Sequence, residues 1–173
     1  MKESFTELLV VGGKSNSLGR ADEVTHAVLR NKARLDELYA CLFNEDAWIR
    51  MRAADCLEKI CRVHPEWLVT YIDRLNTDLA SSKQASIQWH IAQIYRQVDL
   101  SSDQKEFAIS WLERLLSTTE VDWIVATNAM DTLNQFRSDG SVSSSSFKSL
   151  LEVQLKHNSK SVVKRANKYL SLY

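Results

Sequence analysis

Four nine-residue stretches of the chain repeat one arrangement of apolar and polar positions: Ile49–Leu57 (IRMRAADCL), Ile87–Tyr95 (IQWHIAQIY), Ile124–Thr132 (IVATNAMDT) and Val162–Leu170 (VVKRANKYL). Their starts lie 38, 37 and 38 residues apart. Each opens on a β-branched aliphatic residue, and small residues follow four to five places later (Ala53, Ala54, Ala92, Ala129, Ala166). An apolar residue usually stands at the eighth place. At about 100° per residue, positions 0, 4, 5 and 8 share one helical face, so each copy is predicted to be a helix burying one stripe. The small residues would let a neighbouring helix approach to an axial separation of about 8–10 Å.

Before each copy runs a second apolar-periodic segment, roughly 33–43, 65–80, 102–117 and 144–157. The punctuation agrees with paired helices. Pro65 suits a helix start, where no intrahelical N–H is needed. Ser101 with Gln104 three residues on reads as a capping box. The acidic turn Asn44-Glu45-Asp46 leads into a helix whose N-terminus favours negative charge. The serine-rich run 138–146, with Gly140, is the longest predicted connection.

An acidic turn followed by aliphatic-Arg-x-x-Ala-Ala resembles the HEAT repeat, and Asp46-Ala47-Trp48-Ile49-Arg50-Met51-Arg52-Ala53-Ala54 carries the likeness best. The resemblance covers about residues 17–173, with 17–30 as the lone inner helix of an incomplete first repeat. It implies an all-α, right-handed α-α superhelix of about four and a half HEAT-like pairs. Residues 1–173 are then one repeat domain, with 1–16 as a capping or mobile N-terminal segment. Phe5, Leu8, Leu9 and Val11 permit a short amphipathic helix there. Later copies depart from the motif: Gln88, Val125 and Val163 replace the Arg, and Asn128 stands where an apolar or small residue is expected.

Composition narrows the picture further. Only 4 Gly and 1 Pro occur in 173 residues, which favours long helices with short turns over an all-β fold. Basic and acidic residues number 22 each, so no net field draws in nucleic acid or an anionic membrane. The distribution is uneven: residues 63–147 hold 6 basic and 11 acidic side chains, and residues 148–173 hold 6 and 1. No apolar run approaches the roughly 20 residues of a membrane span, and the acidic start is unlike a signal peptide. Cys41, Cys56 and Cys61 form no CxxC pair and read as buried, reduced thiols of a cytoplasmic protein.

By the resemblance, second helices line a concave groove, and equivalent positions stack into ladders along it. With 0, 4, 5 and 8 in the core, positions 3 and 6 are expected to face the groove. Position 3 supplies Arg52, His90, Thr127 and Arg165. Position 6 supplies Asp55, Gln93, Met130 and Lys168. This mixed polar strip suits a protein or peptide better than a duplex, which wants several cations along its length. Trp89 breaks its column beside His90 and is the candidate anchor. Trp48 and Trp123 recur just before the second helix and are expected to plug the turn. Trp67 and Trp111 read as core.

Catalytic patterns find no match. Gly12-Gly13-Lys14-Ser15 lacks the required Gly at position 8, which is Leu8. His26, His64, His90 and His157 make no ligand pair. Cys56 and Cys61 would lie about 140° apart on one helix and could not grip one ion. No cofactor or metal is expected, and no catalytic residue. The binding strip expected is therefore Arg52, Asp55, Trp89, His90, Gln93, Thr127, Arg165 and Lys168, on a monomer or weak oligomer that takes a protein partner. HEAT-like DNA alkylation-repair glycosylases supply the alternative. For that class Trp48, Trp89 and Trp123 would stand as cleft aromatics and Asp55 as the carboxylate, but none of these tryptophans has an acid four residues on.

Overall fold

The computed structural model describes residues 3–12 and 17–173. Among these residues every regular element is helical, and they fall into two compact units, 1–67 and 68–173. The phosphate-loop triplet Gly13-Lys14-Ser15 and part of the expected 1–16 segment lie outside the described residues.

In the first unit, α1 (Phe5–Val10) starts from a complete capping box between Ser4 and Glu7. It is followed by α2 (Ala21–Arg30), a 3-10 turn (Lys32–Arg34), α3 (Leu35–Cys41) and α4 (Ala47–Val63). Helix α4 packs against α1, α2 and α3. Its stripe of Ile49, Ala53, Ala54, Leu57 and Ile60 is buried, as the repeat pattern requires. Small side chains bring α2 close: the Cys56 thiol donates to the Ala21 carbonyl at 3.2 Å. Helix α1 is tied down by its own N–H groups and ring, for Phe5 N donates to Glu37 at 2.8 Å and Arg34 lies 3.7 Å over the Phe5 ring.

Pro65 opens the short α5 (Pro65–Leu68), and a 3-10 turn (Val69–Tyr71) leads into α6 (Ile72–Asp78). The second unit continues with α7 (Ala85–Tyr95), α8 (Ser102–Leu116), α9 (Trp123–Ser138), α10 (Ser144–Gln154) and α11 (Lys160–Leu170). The expected capping box of Ser101 and Gln104 starts α8. Helix α9 packs on α7, α8, α10 and α11 around a core that includes Tyr95, Trp111, Leu133 and Phe147. A Schellman turn ends it: Ser141 N bonds the Phe136 carbonyl at 2.8 Å, and Gly140 takes φ 83°, which an L side chain would resist.

Side chains one repeat on satisfy the carbonyls that helix ends leave open. Gln154 donates to the carbonyls of Leu116 and Thr118, each at 2.8 Å. Thr132 donates to Ala92 at 2.7 Å, and Gln135 to Arg96 at 2.9 Å. These bonds fix the register of successive pairs within the unit.

The burial pattern moves the third copy by one residue. Ile124 is only half-buried, whereas Val125, Ala129, Met130 and Leu133 are fully buried. They take the places of Ile49, Ala53, Ala54 and Leu57. The capping residues agree, since Asp46 and Asp122 are the N-caps of α4 and α9 and stand three residues before Ile49 and Val125. The spacing remains 38 or 37 residues, and Asn128 no longer breaks the motif.

Candidate binding face

The eight residues expected to face a groove do not form one exposed strip. In the first unit Arg52 is buried, with only 3 % exposure. Its guanidinium donates to the carbonyls of Leu9 (2.6 Å), Val10 (3.4 Å), Gly12 (3.3 Å) and Ser17 (2.8 Å). It is therefore a clamp on the chain entering α2 rather than a groove residue. Asp55 is half-buried and pairs with Lys59 at 3.0 Å, and Lys59 in turn reaches Asp22 at 2.9 Å. Burial opposes the charge on Lys59, but the hydrogen bonds it donates to Asp22 and Asp55 outweigh this and raise its pKa.

In the second unit His90 and Thr127 are also buried, which corrects the expectation that position 3 faces outward. His90 Nδ1 donates to the Ser86 carbonyl at 2.6 Å, because a carbonyl only accepts. The Thr127 hydroxyl bonds back to the carbonyls of Trp123 and Ile124, each at 3.0 Å. Thr127 falls at position 2 once the register is corrected, and for Arg52 and His90, both at position 3, the physical reason is shared. Inner helices are packed on several sides, so their buried stripe is wider than a four-position pattern allows. Met130, expected outward at position 6, is buried for the related reason that the third copy starts one residue later.

Trp89 is half-buried, its ring tilted against His90 with centroids 4.9 Å apart. Gln93 is half-buried one turn on, and Lys168 is exposed. Arg165 does face outward in part, where it pairs with Asp131. Asp131 takes the slot equivalent to Asp55 once the register is corrected. It also accepts from the Tyr169 hydroxyl at 2.5 Å and lies 3.6 Å from Arg96 Nη1. One carboxylate thus links α7, α9 and α11. The Asp131 hydrogen bond raises the pKa of Arg165, and burial followed by that same carboxylate pushes the Tyr169 phenol up to about 12.

Asp131 and Arg96 were not legible as face residues in the uncorrected register. The available signal was Asp122, whose N-cap role aligns it with Asp46 and moves the whole copy. The outward-facing set in the second unit is consequently Trp89, Gln93, Arg96, Asp131, Arg165 and Lys168.

Three tryptophans, Trp48, Trp123 and Trp67, also depart from expectation. Trp48 and Trp123 are 40 % and 50 % exposed and do not plug their turns. Each stands in the first turn of its helix, away from the buried stripe. Trp67 is half-buried and stacks on His64 with centroids 4.0 Å apart, whereas Trp111 is core.

Reactive chemistry is muted. All three cysteines are buried and free, and burial pushes the Cys56 and Cys61 thiols up to about 12. Among the described residues no group of three His, Cys, Asp or Glu side chains is placed to hold a metal ion. Among them, too, no helix is long and apolar enough to cross a membrane.

A family model for the HEAT repeat domain matches residues 14–107. No curated protein and no solved structure matches the chain.

Proposed function

This chain belongs to the HEAT repeat family, and we propose that it works as a non-catalytic, cytoplasmic protein-binding scaffold. HEAT repeats generally mediate protein interactions, and a stacked array offers an extended surface rather than a reaction pocket. The observation that carries the reading is the outward-facing set on α7, α9 and α11. There a half-buried tryptophan stands on the same unit as a cross-helix cluster of two arginines, one carboxylate and a tyrosine.

Such a set suits a protein partner. A half-buried Trp is a typical anchor, and Arg and Tyr are enriched at interface centres. The central carboxylate offsets the two arginines, so the face lacks the run of free cations that a phosphate backbone requires. The buried, high-pKa thiols and the hydrogen-bonded His90 offer no activated nucleophile or base.

The test is affinity capture with the intact chain, followed by quantitative binding to the partner recovered. Trp89→Ala combined with Arg96→Glu should weaken binding at least tenfold, while an exposed control such as Lys83→Glu should not. Full affinity in the double variant would remove the inner-helix face as the interface. A steep salt-dependent affinity for DNA, absent for protein partners, would favour the nucleic-acid alternative.

A further inference from the structure

In the second unit a cavity of about 520 Å³ opens between two turns, residues 119–123 before and into α9 and residues 156–159 between α10 and α11. Its walls are held together by His157. Nε2–H donates to the Val121 carbonyl at 2.9 Å, which leaves Nδ1 to accept from Ser159 N–H at 2.9 Å. One ring thus ties the turn before α9 to the turn before α11. Trp123, half-exposed, provides one wall, and exposed Lys156 stands on the other side.

Two lysines of α11 adjoin the cavity, whose own lining holds Lys156 together with Glu120 and Asp122. Lys160 follows the lining residue Ser159, and Lys164 lies one turn further on the same face of α11. Both are exposed, and among the described residues no carboxylate pairs with Lys156, Lys160 or Lys164. Four residues of helix rise about 6 Å. Alternate residues of an extended chain are spaced by about 6.6 Å. A strand with acids at every second position therefore matches the lysine spacing.

We propose that this cavity and the adjoining α11 lysines bind an extended acidic peptide segment, with an apolar side chain of that segment resting on Trp123. The occupant is a peptide rather than a nucleic acid because Glu120 and Asp122 also border the cavity. Asp122 is committed to capping Ile124 N at 2.9 Å, so its charge stays on the rim and repels an uninterrupted polyanion. A peptide can place its acids toward the lysines and an uncharged residue beside Trp123. This surface begins at the turns that precede α9 and α11.

The experiment is selection of a random dodecapeptide display library on the intact chain, then titration of the recovered peptides. The expected result is enrichment of Asp or Glu at alternate positions with an aromatic or aliphatic residue nearby. Binding should fall at least tenfold with Trp123→Ala and with Lys156→Glu plus Lys160→Glu, and remain unchanged with Lys83→Glu. All of these side chains are exposed, so circular dichroism should report an unchanged fold. Recovered peptides without acidic bias, or with affinities indifferent to the Trp123 and lysine variants, would overturn the proposal and leave the inner-helix reading intact. Tighter binding of a twelve-nucleotide single strand than of any recovered peptide would overturn it as well.

Discussion

The Nη1 of Arg52 lies 2.6 Å from the carbonyl oxygen of Leu9, so the middle of α4 holds the chain that leaves α1. A buried guanidinium stays charged at any ordinary pH and must be satisfied where it sits. Here backbone carbonyls do this instead of a carboxylate. Gly12 makes the approach possible: a Cβ there would stand 2.2 Å from Arg52 Nη2.

Two variants should therefore be coupled. Arg52→Ala should destabilise the chain by about 3 kcal/mol, because several carbonyls lose a charged donor. Gly12→Ala should cost about 1–3 kcal/mol in the native background through overpacking. In the Arg52→Ala background the same change should be close to neutral. Urea denaturation of the four proteins measures the cycle, and hydrogen exchange at the α1 amides locates it. Additive losses would mean that Gly12 matters for some reason other than this contact.

The clamp also marks where sequence reading stops. Helix pairs and starts were visible because they depend on local signals, such as the stripe Ile49–Ala53–Leu57, Pro65, and the Ser101–Gln104 box. The partners of Arg52 lie 35 to 43 residues away, at the end of α1 and in the chain beyond it, and no periodicity announces them. The third copy was misaligned because Ile124 and Val125 are equally aliphatic, so the hydrophobic pattern alone could not choose between them. Only the N-cap Asp122 breaks the tie. That one-residue slip hid Asp131, and with it the cluster at the centre of the candidate face.

Asp131 supplies a second test. Its two arginine partners are about a quarter and a third exposed, so solvent screening limits the stability involved. Asp131→Asn should cost about 1 kcal/mol. Its sharper consequence is on Tyr169, whose phenol is pushed up to about 12 by burial and then by this carboxylate. In Asp131→Asn the phenol should titrate lower, part-way back toward 10, since burial remains. Ultraviolet phenolate titration, referenced to Tyr169→Phe, measures the change. No movement of the Tyr169 titration would mean that Asp131 does not bear on it.

Alkaline stability follows from the buried acids of the core. Cys56 and Cys61 have folded-state thiols pushed up to about 12 by burial, from an ordinary value of 9.0. Below pH 9 both states keep these protons, and the full stability is present. Between about 9 and 12 the unfolded chain releases protons that the folded chain retains, so stability falls as pH rises. Urea midpoints should therefore decline progressively above pH 9. Replacing Cys56 by Ala should flatten that decline while costing some stability at neutral pH. The native thiols should also react with an aromatic disulfide far more slowly than those of the urea-unfolded protein. Rapid native-state labelling of Cys56 would show that its surroundings open readily.

The tryptophans separate core from surface in one pair of substitutions. Trp111 is 2 % exposed, donates Nε1–H to the Ala80 carbonyl at 2.8 Å, and meets the Tyr95 ring edge-on at 5.8 Å. Trp111→Ala would leave a large cavity and an orphaned carbonyl, so it should cost about 3–5 kcal/mol. Trp123 is 50 % exposed and lies off the buried stripe of α9, and Trp123→Ala should change stability by about 0.5 kcal/mol or less. Urea denaturation of the two variants decides the matter. A loss at Trp123 comparable to that at Trp111 would restore its assignment as a turn plug. A near-neutral Trp123→Ala would show that the fold does not require this exposed ring, which lines the cavity before α9.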